Sequence, residues 1–434
     1  MKGTSQAGIA RADITPTGTF RLESYARTEN SLGVLDPLYL TVLVLVPACG
    51  EPIVMLAVDS TALLVTEANR LRAAVEKEVG TSVAHTMLHV SHTHSAPQVT
   101  EEYLSFIESR AVAATREAMC DLRPSKLGWG TGRVQVGCNR RTMEGRAKPE
   151  MRISPRPPID DRLGVLLVED EQAIPIAVML WHGVHPNVLK GDSNVVSADW
   201  PGAARRVVES TLGCPMLFAV GAAANVDPMW RGGTDGLRRM GLLVGGEALK
   251  VTGQIETHPF VHGRVASRFL DMHFSLLPGE TAAIQLAAEV AERFGVNSSP
   301  WLAAVQSYLD AQEELPPMPL EIQCLRLNDG VIGGIPMEVF SEIGHAVASH
   351  FPDTQVFFGG CTNGWIGYLP PPEEYISGGF ELEVLPVKYG WITGWLTPPV
   401  PETAAHVIST ARELISDILT DPISGNTEDT ANCC

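Results

Sequence analysis

Two histidines one residue apart, His92 and His94, close the apolar run Leu88-His89-Val90-Ser91-His92-Thr93-His94-Ser95-Ala96-Pro97. In an extended segment successive side chains alternate between faces, so both imidazoles are expected to point the same way. Pro97 lacks an amide donor and limits how far a central strand continues. The expectation is a strand ending in a loop that delivers two imidazoles to one spot. Imidazole is the commonest metal ligand and the usual proton carrier near neutral pH. The competing reading is a pair of solvated or core histidines, for which this paired spacing is unusual.

A second histidine closes another apolar strand, in Trp181-His182-Gly183-Val184-His185-Pro186-Asn187. His185 alone would fit a structural histidine equally well, and it gains weight beside His92. Two His-bearing strand ends point to convergence at one edge of a sheet, where α/β folds place their sites. Asp199, in Ser197-Ala198-Asp199-Trp200-Pro201, reads either as a helix cap or as a site residue. In Asn225-Val226-Asp227-Pro228 the preceding Gly221-Ala222-Ala223-Ala224 lets backbone approach a ligand closely. There Asp227 holds a substrate or a histidine, or is a turn aspartate before proline. Glu338 lies between apolar residues at a strand-to-helix junction. A buried carboxylate there needs a metal, an arginine or a helix N-terminus.

The elements that must position these residues alternate. Strands are expected at Gly8–Ile14, Leu38–Pro47, Ile53–Val58, Ala84–Val90 and Pro215–Val220. Hairpins are expected at Leu163–Val168 with Ile174–Trp181, and at Leu320–Leu327 with Val331–Ile335. Helical spacing marks Thr66–Val79, Glu101–Met119, Pro201–Leu212, Leu237–Val251, Thr281–Phe294, Trp301–Glu314, Glu338–His350 and Ala404–Leu419. Lys126–Val136 reads as one or two strands. Mixed β-sheets flanked by helices, an α/β fold, are the expected class. The Pro-rich joints at 155–158, Pro316-Pro317 and Pro370–Pro372 are too short for spacers. One domain over 1–420 with a polar, disordered tail at 421–434 is expected.

The 434 residues bury a sizeable core, and 45% apolar with 19% charged residues is a globular composition. A formal charge of −18 gives no attraction to phosphate backbones or anionic lipid, which argues against nucleic acid as a partner. None of the eight cysteines forms a CxxC pair. Met1–Ala7 lacks a signal peptide's apolar core, and no window reads as a membrane-inserted helix. A reduced, cytoplasmic protein acting on a small molecule is expected, with Cys433-Cys434 as exposed thiols on a frayed tail.

From Gly8-Ile9-Ala10-Arg11-Ala12-Asp13-Ile14-Thr15 to about Tyr389 these segments resemble the neutral/alkaline, non-lysosomal ceramidase family. Ser91-His92-Thr93-His94-Ser95-Ala96-Pro97 is similar to the family's His-Thr-His-Ser-Gly-Pro, and Val184-His185-Pro186 carries its second histidine. The resemblance implies a zinc amidase with one zinc ion per chain, held by His92, His185, Glu338 and Tyr368. It also implies that His94 faces the substrate carbonyl and that Arg140, in Cys138-Asn139-Arg140-Arg141, shapes the site. The chain departs from the pattern at two places. Asp227 replaces a serine to which a catalytic role is assigned, and Phe380 stands where a second tyrosine is expected. Too few residues follow Tyr389 for the family's C-terminal immunoglobulin-like domain. A ceramidase-like catalytic domain with a different substrate is therefore expected.

The leading expectation is a zinc-dependent hydrolase that cleaves a C–N amide bond of a small or lipid-like substrate by metal-activated water. His94 or Asp227 would pass the proton, and Asn225, Asp199 and Phe380 would contact substrate. The alternatives are lactone or ester hydrolysis on the same scaffold, or a non-catalytic ligand-binding relative. An amidohydrolase barrel ranks lower, because several strands precede His92. Arg231, Arg238 and Arg239 bind a carboxylate or, the favoured reading, form a solvated helix face. Trp230, Trp365, Trp391 and Trp395 line a pocket or fill the core.

Overall fold

A computed structural model describes residues 4–25, 27–141, 159–261, 263–275 and 281–420. The joint at 155–158, the tail at 421–434 and Cys433-Cys434 lie outside the described residues. Eight strands form the main path of a nine-stranded sheet. Their order is Met216–Val220, Pro175–His182, Arg162–Asp170, Arg123–Arg133, Gln6–Asp13, Tyr39–Val46, Ile53–Val58 and Thr86–Val90. Pairing is antiparallel through the middle and parallel at both ends, where Met216 faces Val178 and Val54 faces Thr86. The expected 163–181 hairpin forms, with Leu163 opposite His182.

The strands are apolar on both faces because both are covered. Along Tyr39–Val46, Val42 and Val44 pack with Leu71, Ile107 and Ala111 of the flanking helices Val65–Val79 and Glu101–Cys120. The alternating Leu43 and Leu45 pack with Trp129, Trp181 and Phe357 on the other side. That second layer includes a four-stranded sheet, ordered Gly263–Met272, Met318–Leu327, Gly330–Gly334 and Gln355–Gly359.

The large sheet curls so that its edge strands, Thr86–Val90 and Met216–Val220, come into contact. The end of the Gln355–Gly359 strand and the segment after it are wedged at this junction, bridging Gly221 through Gly359 and His89 through Thr362. A Cβ on Gly359 would lie 2.6 Å from the Val220 carbonyl oxygen, so only glycine permits this approach. The curl brings together loops that are distant in sequence, including those of His92, His185 and Glu338.

One expected element differs. The helix predicted from Glu338 begins at Ser341, and Glu338–Val339 is instead a short strand parallel to Tyr368–Leu369. The Glu338 amide donates to the Gly367 carbonyl at 2.7 Å, so tertiary pairing captures residues that local spacing assigns to the helix. Among the described residues no helix is long and apolar enough to cross a membrane.

Candidate metal centre

His92 and His94 converge, but not by strand alternation. The strand ends at Val90, and His92 has φ +63°, a left-handed conformation uncommon outside glycine. The turn is held from several directions. The Ser91 amide donates to Val58 O at 2.9 Å, Thr61 Oγ1 donates to Thr93 O at 2.6 Å, and Thr93 Oγ1 donates to Ser197 O at 2.7 Å. The His94 amide donates to Pro186 O at 3.1 Å, which ties the first histidine loop to the second. Locally strained backbone that is fixed from all sides is a mark of functional sites.

His185 follows the Pro175–His182 strand. Its amide donates to Val226 O at 2.9 Å, and its own carbonyl accepts from Trp200 Nε1 at 3.0 Å. Asp199, itself at φ +56°, accepts from the Val188, Leu189 and Trp200 amides at 3.1, 2.9 and 2.7 Å. It therefore clamps the loop after His185 to the start of the Asp199–Leu212 helix. Burial pushes its carboxyl up to about 6.

The three imidazoles lie edge-to-face, with centroids 4.9 to 5.3 Å apart and ring nitrogens within 4.8 Å of one another. Their outer nitrogens separate them into two kinds. His92 Nδ1 is 2.7 Å from Thr61 O, and His185 Nδ1 is 2.8 Å from Ala223 O. A carbonyl only accepts, so both rings carry hydrogen on Nδ1 and present a lone pair at Nε2. His94 Nδ1 instead meets a hydroxyl, Ser24 Oγ, at 2.9 Å.

Glu338 Oε2 lies 3.2 Å from His92 Nε2 and 3.1 Å from His185 Nε2, and Oε1 accepts from Trp365 Nε1 at 2.9 Å. Burial disfavours the charged carboxylate, but His92 and His185 hold Glu338 well below the usual range. Burial alone would lower His92; Glu338 instead raises it well above an ordinary histidine, so a cation bound at its Nε2 would displace a proton there. His185 Nε2 and Glu338 Oε2 are buried without a properly aligned hydrogen-bond partner. Buried polar atoms are rarely left so, and two lone-pair donors aimed together fit a cation. The donor set, two neutral imidazoles and a carboxylate, suits zinc.

Tyr368 enters through its pairing with Glu338, and its hydroxyl accepts from Arg140 Nη2 at 3.1 Å. The same Arg140 nitrogen reaches Glu381 Oε1 at 3.1 Å, while Nη1 lies 3.4 Å from Asp227 Oδ1. Asp227 Oδ1 also accepts from Asn187 Nδ2 at 3.1 Å, and Oδ2 from Arg231 Nη1 at 2.7 Å. Burial would raise Asp227, but Arg140 and Arg231 hold it below the usual range. This geometry fits an anchor for two arginines rather than a proton carrier. Arg231 is accordingly not part of a solvated face, whereas Arg238 and Arg239 pair with exposed Asp235.

A cavity of about 200 Å³ opens onto the cluster, lined by His92, His94, Glu338, Tyr368 and Trp365, with Leu64, Val99, Phe380, Leu385 and Ile392 forming apolar wall. Phe380, expected to contact substrate, is one of these wall residues. Asn225 and Asp199 do not line the cavity. Asn225 Oδ1 accepts from the Ser341 amide at 2.9 Å, and its Nδ2 donates to Glu342 Oε2 at 2.8 Å, which fixes the start of the Ser341–Ala348 helix. Sequence reasoning missed Ser24, Thr61 and Glu381. Each acts through long-range hydrogen bonds, and no local pattern marks it.

No protein-family description and no curated protein sequence matches the chain. Solved structures do. The neutral ceramidase from Pseudomonas aeruginosa superposes with a TM-score of 0.73 over 96% of this chain and 75% of that one, at 18% identity. A ceramidase complexed with C2 gives the same values. Over nearly its whole described architecture, the chain therefore has the fold of a neutral ceramidase.

Proposed function

We propose that the protein is a zinc-dependent hydrolase that cleaves the amide bond of a small or lipid-like acylated amine. The observation that carries this reading is the meeting of His92 Nε2 and His185 Nε2, at 3.2 and 3.1 Å, on Glu338 Oε2 in a buried site. His92, His185 and Glu338 would hold one zinc ion, with Tyr368 beside them. Zinc bound there would lower the pKa of a water molecule from ~15.7 to about 7.

The remaining work falls to the chain's own residues. Burial keeps His94 well below the ordinary histidine value, and it stands as a neutral imidazole at the cavity wall. It can steady the carbonyl oxygen or move a proton to the leaving group. Arg140 fixes the Tyr368 hydroxyl, and Asp227 fixes Arg140. Trp365 orients Glu338 and closes one wall against water.

The amide assignment comes from the ceramidase fold, and the cavity refines it. A cavity of roughly 150 Å³ with apolar walls holds a benzene ring. About 200 Å³ therefore takes a short acyl group or one end of a longer chain, not two long chains together. That volume also suits a small ester or lactone. The test is a screen of acyl amides, esters and lactones of graded chain length with zinc-loaded protein and its His92→Ala variant. Turnover of short acyl amides, lost in the variant, is expected. Full activity and full metal content in His92→Ala would refute the assignment.

A further inference from the structure

Three histidine nitrogens within 4.8 Å could all serve one metal ion. What separates them is the partner on the other ring nitrogen. His92 and His185 face carbonyls, which lock their Nε2 lone pairs inward. His94 faces the Ser24 hydroxyl, which can donate as well as accept. When Ser24 donates to Nδ1, the hydrogen sits on His94 Nε2, the nitrogen 3.4 Å from His92 Nε2. An N–H cannot ligate, but it can donate to a substrate oxygen.

Building on the metal reading above, we propose that Ser24 is a positioning residue that keeps His94 out of the ligand set and presents it to the substrate. Its own placement is costly and closely held. Ser24 and Tyr25 both lie in the left-handed region, at φ +73° and +55°, a conformation that non-glycine residues adopt only when neighbours enforce it. Arg27 enforces it. Its Nη1 donates to Glu23 O at 3.0 Å and His94 O at 2.8 Å, and its Nη2 donates to Lys190 O at 3.0 Å. The Glu23 amide donates to Ala96 O at 2.9 Å. Tyr25 packs its ring edge against His94, centroids 5.2 Å apart, and its hydroxyl accepts from Arg231 Nη2 at 3.1 Å. Ser24 and Tyr25 thus hold the His94 ring by nitrogen and by edge. Ser24 also lines the cavity.

Zinc affinity, measured by competition with a chelator, tests this in the full-length chain and in His94→Ala, Ser24→Asp and the double variant. A carboxylate at position 24 accepts only. It would lock His94 in the same tautomer as His92 and recruit it to the metal. The expected results are an affinity unchanged within about twofold in His94→Ala, a rise of about tenfold in Ser24→Asp, and loss of that rise in the double variant. Ser24→Gly removes the hydroxyl without opposing the backbone. It should lower kcat for p-nitrophenyl butyrate about tenfold or more, with KM within about twofold and zinc retained. A His94→Ala variant that binds zinc about tenfold more weakly would overturn the proposal, since His94 would then be a ligand. A rise that survives in the double variant, or a fully active Ser24→Gly, would overturn it too. Wild-type protein that takes up no zinc would overturn the metal reading, and the role of Ser24 with it.

Discussion

Arg140→Met removes the cation at the centre of the network behind the site. Arg140 is 4% exposed, and its guanidinium touches Tyr368 OH, Glu381 and Asp227 at 3.1, 3.1 and 3.4 Å. Burial works against its charge, but Tyr368, Glu381 and Asp227 raise its pKa well above the ordinary value, so the charge is firmly held. Breaking one buried pair costs about 3–5 kcal/mol. Here Asp227 keeps Arg231 and Glu381 keeps Arg141, at 2.7 and 2.6 Å. The low end applies, about 3 kcal/mol, or a factor of roughly 150 in the folded-to-unfolded ratio. Urea unfolding of wild type and variant measures it. Adding Asp227→Asn removes a carboxylate that the first change left underpaired, so the double variant should lose about 1 kcal/mol less than the sum of the singles. A loss under about 0.5 kcal/mol for Arg140→Met, or strict additivity, would refute the reasoning.

Trp365→Phe deletes the donor to Glu338 Oε1 at 2.9 Å while keeping an aromatic wall; chelator competition should register zinc binding about 10–100-fold weaker. Asp199 carries a pH signature. Its folded-state pKa is raised to about 6 from 3.8, so the stability tied to its protonated form is present below about pH 4 and lost as pH rises through 6. Urea unfolding of wild type against Asp199→Asn should therefore show wild type losing about 2 kcal/mol more between about pH 4.5 and 7.5, and a difference independent of pH would contradict it. Gly367→Ala places a Cβ against the Trp395 ring at φ +134°, and soluble, folded protein at ordinary yield would speak against the described packing.

Much of the site was legible because its residues sit where apolar runs stop. The runs before His92 and His185 are long and doubly buried, and a proline, Pro97 or Pro186, punctuates the loop beyond each. The geometry that joins them was not legible. Alternation predicted that His92 and His94 share a face, yet a left-handed turn at His92 brings the rings together. Such a turn is selected by contacts from Val58, Thr61 and Ser197, far away in sequence. Glu338 read as helical because Phe340, Ile343 and Val347 carry helical spacing, and its pairing with Tyr368 became visible only in the fold. Asp227 and Asn225 were singled out from the run after Val220, but the contacts they make depend on Arg140, Arg231 and Ser341. Ser24, 70 residues from His94, has no motif around it.

The central claim is that His92, His185 and Glu338 hold a metal ion. Elemental analysis of purified wild type beside Glu338→Ala, both produced with zinc supplied, tests it most directly. About one zinc per wild-type chain, with little or none in a folded variant, is the predicted result. Wild-type protein without metal, or equal zinc in both, would contradict the account.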